Sequence, residues 1–218
     1  MTCHKKKEQV DIEILGIQDV YSLGQMAKSM ATRMLVYVLF LSCARLSEAL
    51  KLRKKDFVFT TMQVRKNGQS YTKNILLFKN MPVLKRKAPI VRTPPIIVDD
   101  DPVKWQMIEE IKTYLEGIPE DNMRLFPFKK HAGSMRIRRI GDKMEVKSFQ
   151  RRYGTTEEIV ITTNLYAHYL RHCGITYLVN KYQDLSELKL TAFVGWADTR
   201  MTKRYYDPSW LDMIKAMS

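Results

Sequence analysis

The sequence predicts an α+β fold, mainly helical with a small antiparallel β-sheet. Three observations carry that expectation. Apolar residues recur at helical spacing from Leu23 to Ala44, short segments rich in β-branched and aromatic residues lie between Phe57 and Val98, and helical periodicity returns from Leu165 to Tyr205. With 218 residues, 45% of them apolar, the chain can bury one core, and we expect a single domain spanning 1–218. Residues 1–11 form a polar lead to it and residues 206–218 a tail.

The first element is a core helix. Its apolar residues thicken from Met34 to Ala44 around Ser42, and the end of the run delivers Arg45 to a surface or cleft. Ser47-Glu48-Ala49-Leu50 continues as a further helical turn. The sheet segments are Phe57 to Thr61, Ile75 to Phe78, Pro89 to Val91 and Ile96 to Val98, separated by turn formers at Asn67-Gly68 and Asn80-Met81-Pro82. Asp101 before Pro102 has the form of a helix start rather than of a metal cluster. Trp105, Ile108, Ile111 and Leu115 make the apolar stripe of that helix, which stops at Gly117 and Pro119. Leu125-Phe126-Pro127 ends a short extended piece. Lys129 to Gly141 reads as a basic, glycine-bearing connection. Helices then follow over Leu165 to Lys181, Leu185 to Val194 and Thr199 to Tyr205.

Charge narrows the partners. Lys and Arg number 37 against 23 Asp and Glu, a net +14, which favours a polyanionic partner such as nucleic acid or an acidic membrane. Two tracts concentrate it: twelve basic residues against Asp56 from Lys51 to Arg92, and ten against Asp142 and Glu145 from Arg124 to Arg152. Cys3, Cys43 and Cys173 are widely spaced and match no metal-ligand pattern, so reduced thiols in a cytoplasmic compartment are expected. The lysine-rich start lacks the apolar core of a secretory signal. The apolar run is far shorter than the ~20 residues of a membrane span and reads as a buried helix; no membrane partner is expected.

The chemistry concentrates in the last third. On the helix from Leu165, His168, Arg171 and His172 stand three and four residues apart and share one face. A guanidinium is permanently charged and donates two parallel hydrogen bonds, so Arg45 and Arg171 together suit the non-bridging oxygens of a phosphate. A phenol has a pKa of about 10, so Tyr205 needs a base and nearby cations to act as a nucleophile. His168 is the nearest candidate base. Trp196 offers an indole N–H that donates but cannot shuttle a proton. A leaving hydroxyl needs a general acid, for which a lysine of the basic sheet is the source. Zinc between His168 and His172 is disfavoured by the cation of Arg171 and by the lack of a third ligand. The site is expected to need neither metal nor cofactor.

These residues, in this order, resemble the tyrosine recombinase (phage-type integrase) family over roughly residues 12 to 210. Ala44-Arg45-Leu46-Ser47-Glu48-Ala49-Leu50 looks like its first arginine motif, and His168-Tyr169-Leu170-Arg171-His172 fits its His-x-x-Arg motif. Val194-Gly195-Trp196 leads to Tyr205 at the family's spacing, with tryptophan where most members carry histidine. The resemblance implies a mainly helical catalytic domain that cuts and rejoins double-stranded DNA through a 3′-phosphotyrosyl link on Tyr205. Arg45, Arg171 and Trp196 would bind the scissile phosphate, His168 would handle protons and Glu48 would steady the arginines, with His172 beside them. The hairpin lysine is best matched by Lys79, with Lys85 as rival. Tyr206 is rotated about 100° from Tyr205 on a helix.

Most relatives precede this domain with a separate helical clamp around DNA. Here only a short lead stands before Arg45, so either a stand-alone catalytic domain or a fragment of a longer integrase is expected. The resemblance also implies a homo-oligomer, a tetramer on paired sites. Two alternatives remain: a type IB topoisomerase-like enzyme, which shares the covalent chemistry but is disfavoured by the small size and the integrase-like motifs, and an inactive integrase relic that binds DNA as a regulator, which the intact set of reactive groups argues against.

Overall fold

The computed structural model describes residues 10–12, 14–66, 68–84, 90–141, 146–151, 158–163 and 165–206. The core is built around one helix. Strand β1 (Val10–Ile12) leads to α1 (Ile17–Gln25), and α2 (Met30–Leu41) follows. From Met34 to Leu41, α2 is at most 3% exposed at every position. Full burial of such side chains contributes roughly 1.5–3 kcal/mol each, so packing rather than helix propensity holds α2.

The single helical run expected from Leu23 to Ala44 is in fact two helices. Ser29 caps α2 by accepting from the Thr32 N–H, which ends α1 at Gln25. Gly24 lets the helices touch, because an added Cβ would lie 2.2 Å from the Tyr37 ring. Helix α2 ends at a buried turn in which Cys43 has φ 49, the left-handed region. There α3 (Leu46–Ala49) begins, with Arg45 as its N-cap residue.

The expected antiparallel sheet is present, with a longer hairpin. Strands β2 (Phe57–Lys66) and β3 (Gln69–Phe78) pair along ten positions, and β6 (Pro95–Ile97) joins β3. Between them β4 (Met81–Val83) and β5 (Ile90–Arg92) form a second ribbon. Asp101 caps α4 (Pro102–Glu116) as its sequence suggests, accepting from the N–H groups of Val103 and Lys104. The buried face differs from the expected stripe by one position. Trp105 is half exposed and Lys104 is buried, its Nζ donating to Tyr182 Oη at 3.0 Å and paired with Asp100.

Two further segments depart from expectation. The presumed connection from Lys129 is helix α5 (Lys130–Gly141), whose buried face of Gly133, Ile137, Ile140 and Gly141 is too poor in apolar side chains to stand out. Strands β7 (Val146–Arg151) and β8 (Glu158–Thr163) make a hairpin to which β1 adds, where no element was expected.

Helix α6 (Ala167–Lys181) packs along α2. Gly174 is the contact point, since a Cβ there would sit 2.1 Å from the Phe40 carbonyl oxygen. Gly174→Ala should therefore force α2 and α6 apart and cost about 3 kcal/mol or more, read as a lower urea midpoint. An unchanged midpoint would contradict this packing. Helix α7 (Glu187–Val194), a 3-10 turn (Thr199–Met201) and α8 (Lys203–Tyr206) complete the described fold.

Candidate active site

The site gathers at the end of α2, around one carboxylate. Glu48 is fully buried and lies in the first turn of α3. Its Oε2 accepts from the Arg45 backbone N–H at 2.9 Å, and its Oε1 accepts from Arg45 Nη1 at 2.7 Å. Arg171 Nη1 approaches Oε2 to 3.7 Å and Arg92 Nη2 to 3.8 Å. Three guanidiniums thus share one anion. Only Arg45 reaches the surface appreciably, with 19% of its side chain exposed.

Arg171 projects from α6 beneath this turn. Its Nη1 donates to the Cys43 carbonyl at 2.5 Å and its Nη2 to the Val194 carbonyl at 3.3 Å. Burial, and then the Arg45 charge, pull its pKa below the ordinary arginine value, while Glu48 and Tyr205 oppose the shift. Arg92, the last residue of β5, is drawn down to about 10 chiefly by burial, with Glu48 opposing. Both side chains keep the charge that a guanidinium carries in proteins.

Glycine shapes the far wall. Gly195 ends α7 with φ 76, which only glycine adopts readily, and its N–H donates to the Thr191 carbonyl. Space is tight as well, since a Cβ would lie 3.0 Å from both Arg92 Cδ and Val83 Cγ2. The next residue, Trp196, is turned inward and 8% exposed. Its ring stacks on Tyr205 with centroids 5.6 Å apart, and the His172 ring lies nearly parallel to that of Tyr205 with centroids 5.9 Å apart.

The tyrosine hydroxyl meets His172. Tyr205 Oη and His172 Nδ1 form a hydrogen bond, and the His168 ring stands edge-on to His172 at 4.6 Å. Tyr206 is committed elsewhere: its hydroxyl donates to the Leu185 carbonyl. Thr202 secures this end of the chain, because its buried hydroxyl donates to Glu187 Oε2 at 2.6 Å and its carbonyl accepts from the Tyr205 N–H at 2.8 Å.

The structure thus gathers Arg45, Glu48, His168, Arg171, His172, Trp196 and Tyr205 in one cluster. It treats the lysines differently. Lys79 lies exposed in the turn between β3 and β4, its backbone N–H donating to the Asp56 carbonyl; among the described residues no hydrogen bond or ion pair joins it to the cluster. Lys85 lies outside the described residues. Sequence reasoning missed Arg92, which sits in a basic tract that reads as surface.

Solved structures share this architecture. XerH site-specific recombinase bound to palindromic difH substrate, in a post-cleavage complex, matches with a TM-score of 0.58 at 18% identity, over 94% of this chain and 52% of that one. XerA recombinase matches with a TM-score of 0.57 at 17% identity, over 94% and 63%. The Tn1549 transposon integrase in complex with a circular intermediate DNA matches with a TM-score of 0.52 at 15% identity, over 98% and 66%. The fold is that of the tyrosine recombinase catalytic domain. Within this recombinase fold the chain spans about half the length of the XerH structure and two thirds of the Tn1549 integrase. No protein-family model and no curated protein matches the sequence. Among the described residues, no helix of the recombinase fold is long and apolar enough to cross a membrane.

Proposed function

We propose that the protein is a tyrosine-type site-specific recombinase or integrase that cleaves and rejoins DNA strands through Tyr205. The observation that carries this reading is the Tyr205 ring stacked on Trp196 with its hydroxyl on His172, beside two arginines that share Glu48. Tyr205 Oη attacks the phosphorus of a DNA phosphodiester, the bond to the 5′-oxygen breaks, and a 3′-phosphotyrosine and a free 5′-hydroxyl result. Attack by a 5′-hydroxyl of a partner strand reverses the step and restores the phosphodiester. Bond energy is kept in the ester, so no nucleotide triphosphate is consumed.

The phenolic proton passes to His172, which already meets the hydroxyl, with His168 beside it. Arg45 meets one non-bridging oxygen from the surface. Arg171 supports the other, since its two carbonyl acceptors do not exhaust the five N–H donors of a guanidinium. The Trp196 indole supplies a further donor. Lys79, or Lys85, protonates the leaving 5′-oxygen. Recombination brings several protomers, a tetramer, onto two sites.

A nicked suicide duplex carrying the DNA that flanks the coding sequence tests this, because the cleaved end diffuses away and traps the adduct. A covalent band on a denaturing gel supports the reading. A folded chain that binds the duplex yet yields no band contradicts it. His172→Ala should slow adduct formation by roughly 10²-fold, the usual scale of general base catalysis. An unchanged rate would return the role to His168. Duplex affinity should fall with salt, with a log–log slope of about −0.9 per neutralised phosphate. A flat response would exclude the two basic tracts as the DNA footprint.

A further inference from the structure

We propose that Arg92 is a positioning residue, which locks the turn carrying Arg45 to the end of the helix carrying Trp196. It touches both sides of the site at once. Its Nη1 donates to the Ser42 carbonyl at 3.0 Å and to the Phe193 carbonyl, and its Nη2 donates to the Cys43 carbonyl at 3.4 Å. Ser42 and Cys43 follow the last residue of α2 just before Arg45, and Phe193 lies three residues before Trp196. Phe193 and Arg92 are 101 positions apart in the chain. The side chain is 5% exposed, and Gly195 leaves it room by lacking a Cβ.

Stability alone explains this arrangement poorly. Taking a guanidinium out of water costs several kcal/mol, and a well-packed apolar side chain often serves stability as well or better. Among the described residues, Arg92 Nε has no hydrogen-bond partner, which adds to that cost. Its bonds fall on carbonyls at the ends of α2 and α7, where chain direction is set. One of them is the carbonyl of Cys43, whose left-handed backbone is strained for a residue with a Cβ. Arg92 and Arg171 together hold that peptide in place. Without Arg92, the turn relaxes around Arg171 alone, and Arg45 and Trp196 lose their fixed spacing across Tyr205.

The proposal rests on the strand-cleavage reading for what the cluster acts on, but the positioning itself has a readout independent of DNA. Arg92→Met and Arg92→Lys are compared with the parent chain. In the folded, DNA-free protein, the Trp196 indole N–H resonance, assigned with Trp196→Phe, is followed against that of half-exposed Trp105 on α4. Arg92→Met should move the Trp196 resonance and leave that of Trp105 in place. With saturating suicide duplex, adduct formation should fall about 100-fold in Arg92→Met while the duplex Kd holds, the scale of loss for a misplaced reacting group. Arg92→Lys, which keeps a donor and the charge, should recover part of both effects.

A folded variant with an unmoved Trp196 resonance overturns the proposal, as does adduct formation at the parent rate. So does failure of both variants to fold, which assigns Arg92 to stability alone. A parent chain that forms no adduct overturns the strand-cleavage reading instead, and the resonance comparison then decides the positioning.

Discussion

Tyr205→Phe abolishes the covalent protein–DNA adduct and leaves duplex affinity close to that of the parent chain. One oxygen is removed, and with it the hydrogen bond to His172, while the ring keeps its stacking on Trp196. The arginines keep their carboxylate, so the phosphate site persists without its nucleophile. Tyr206→Phe is the matched control. Its hydroxyl donates to the Leu185 carbonyl, and losing that bond costs about 1 kcal/mol of stability without touching the reacting groups. An adduct that survives Tyr205→Phe and vanishes in Tyr206→Phe would exchange the two roles.

Glu48→Leu should be the most destabilising change at the site. The carboxylate is fully buried and faces three guanidiniums, at 2.7 Å from Arg45, 3.7 Å from Arg171 and 3.8 Å from Arg92. Removing the shared anion strands three like charges, two of which are almost wholly buried, and breaking such an arrangement costs about 3–5 kcal/mol. It also removes the acceptor for the Arg45 backbone N–H at the start of α3. Glu48→Gln keeps the shape and one acceptor oxygen, so its loss should be smaller. Urea denaturation reads both changes as a fall in midpoint at constant slope. A loss below about 1 kcal/mol in Glu48→Leu would show that the guanidiniums balance their charge elsewhere.

Much of the fold and of the cluster was legible because its signals are local. The apolar run before Arg45, the one-face spacing of His168, Arg171 and His172, and the glycine before Trp196 are all short-range patterns. Periodicity separates Tyr205 from Tyr206 by angle but says nothing of where either hydroxyl points. That depends on Leu185 and His172, which tertiary packing brings to them. Arg92 and Lys104 were illegible for the same reason. Each is a basic residue whose burial draws on partners distant in sequence: Phe193 and Ser42 for Arg92, and Tyr182, beside the nearby Asp100, for Lys104.

The missed elements have distinct causes. Helix α5 hides behind glycines and arginines, with few apolar residues to mark a face. The β7–β8 hairpin did carry a signal, since Ile159, Val160, Ile161, Thr162 and Thr163 are all β-branched. What no local pattern reveals is the addition of β1, whose Val10 pairs with Gln150. The broken helix between Gln25 and Met30 was marked by Ser29, a capping residue inside an otherwise continuous apolar pattern.

The most direct test of the central claim is a peptide map of the trapped adduct. After capture on the suicide duplex, nuclease and protease digestion should leave a nucleotide mass on the peptide containing Tyr205, with the fragment ions placing it on that phenol. The same mass on Tyr206, on a histidine or on no residue at all, in folded protein that binds its flanking duplex, would contradict the account.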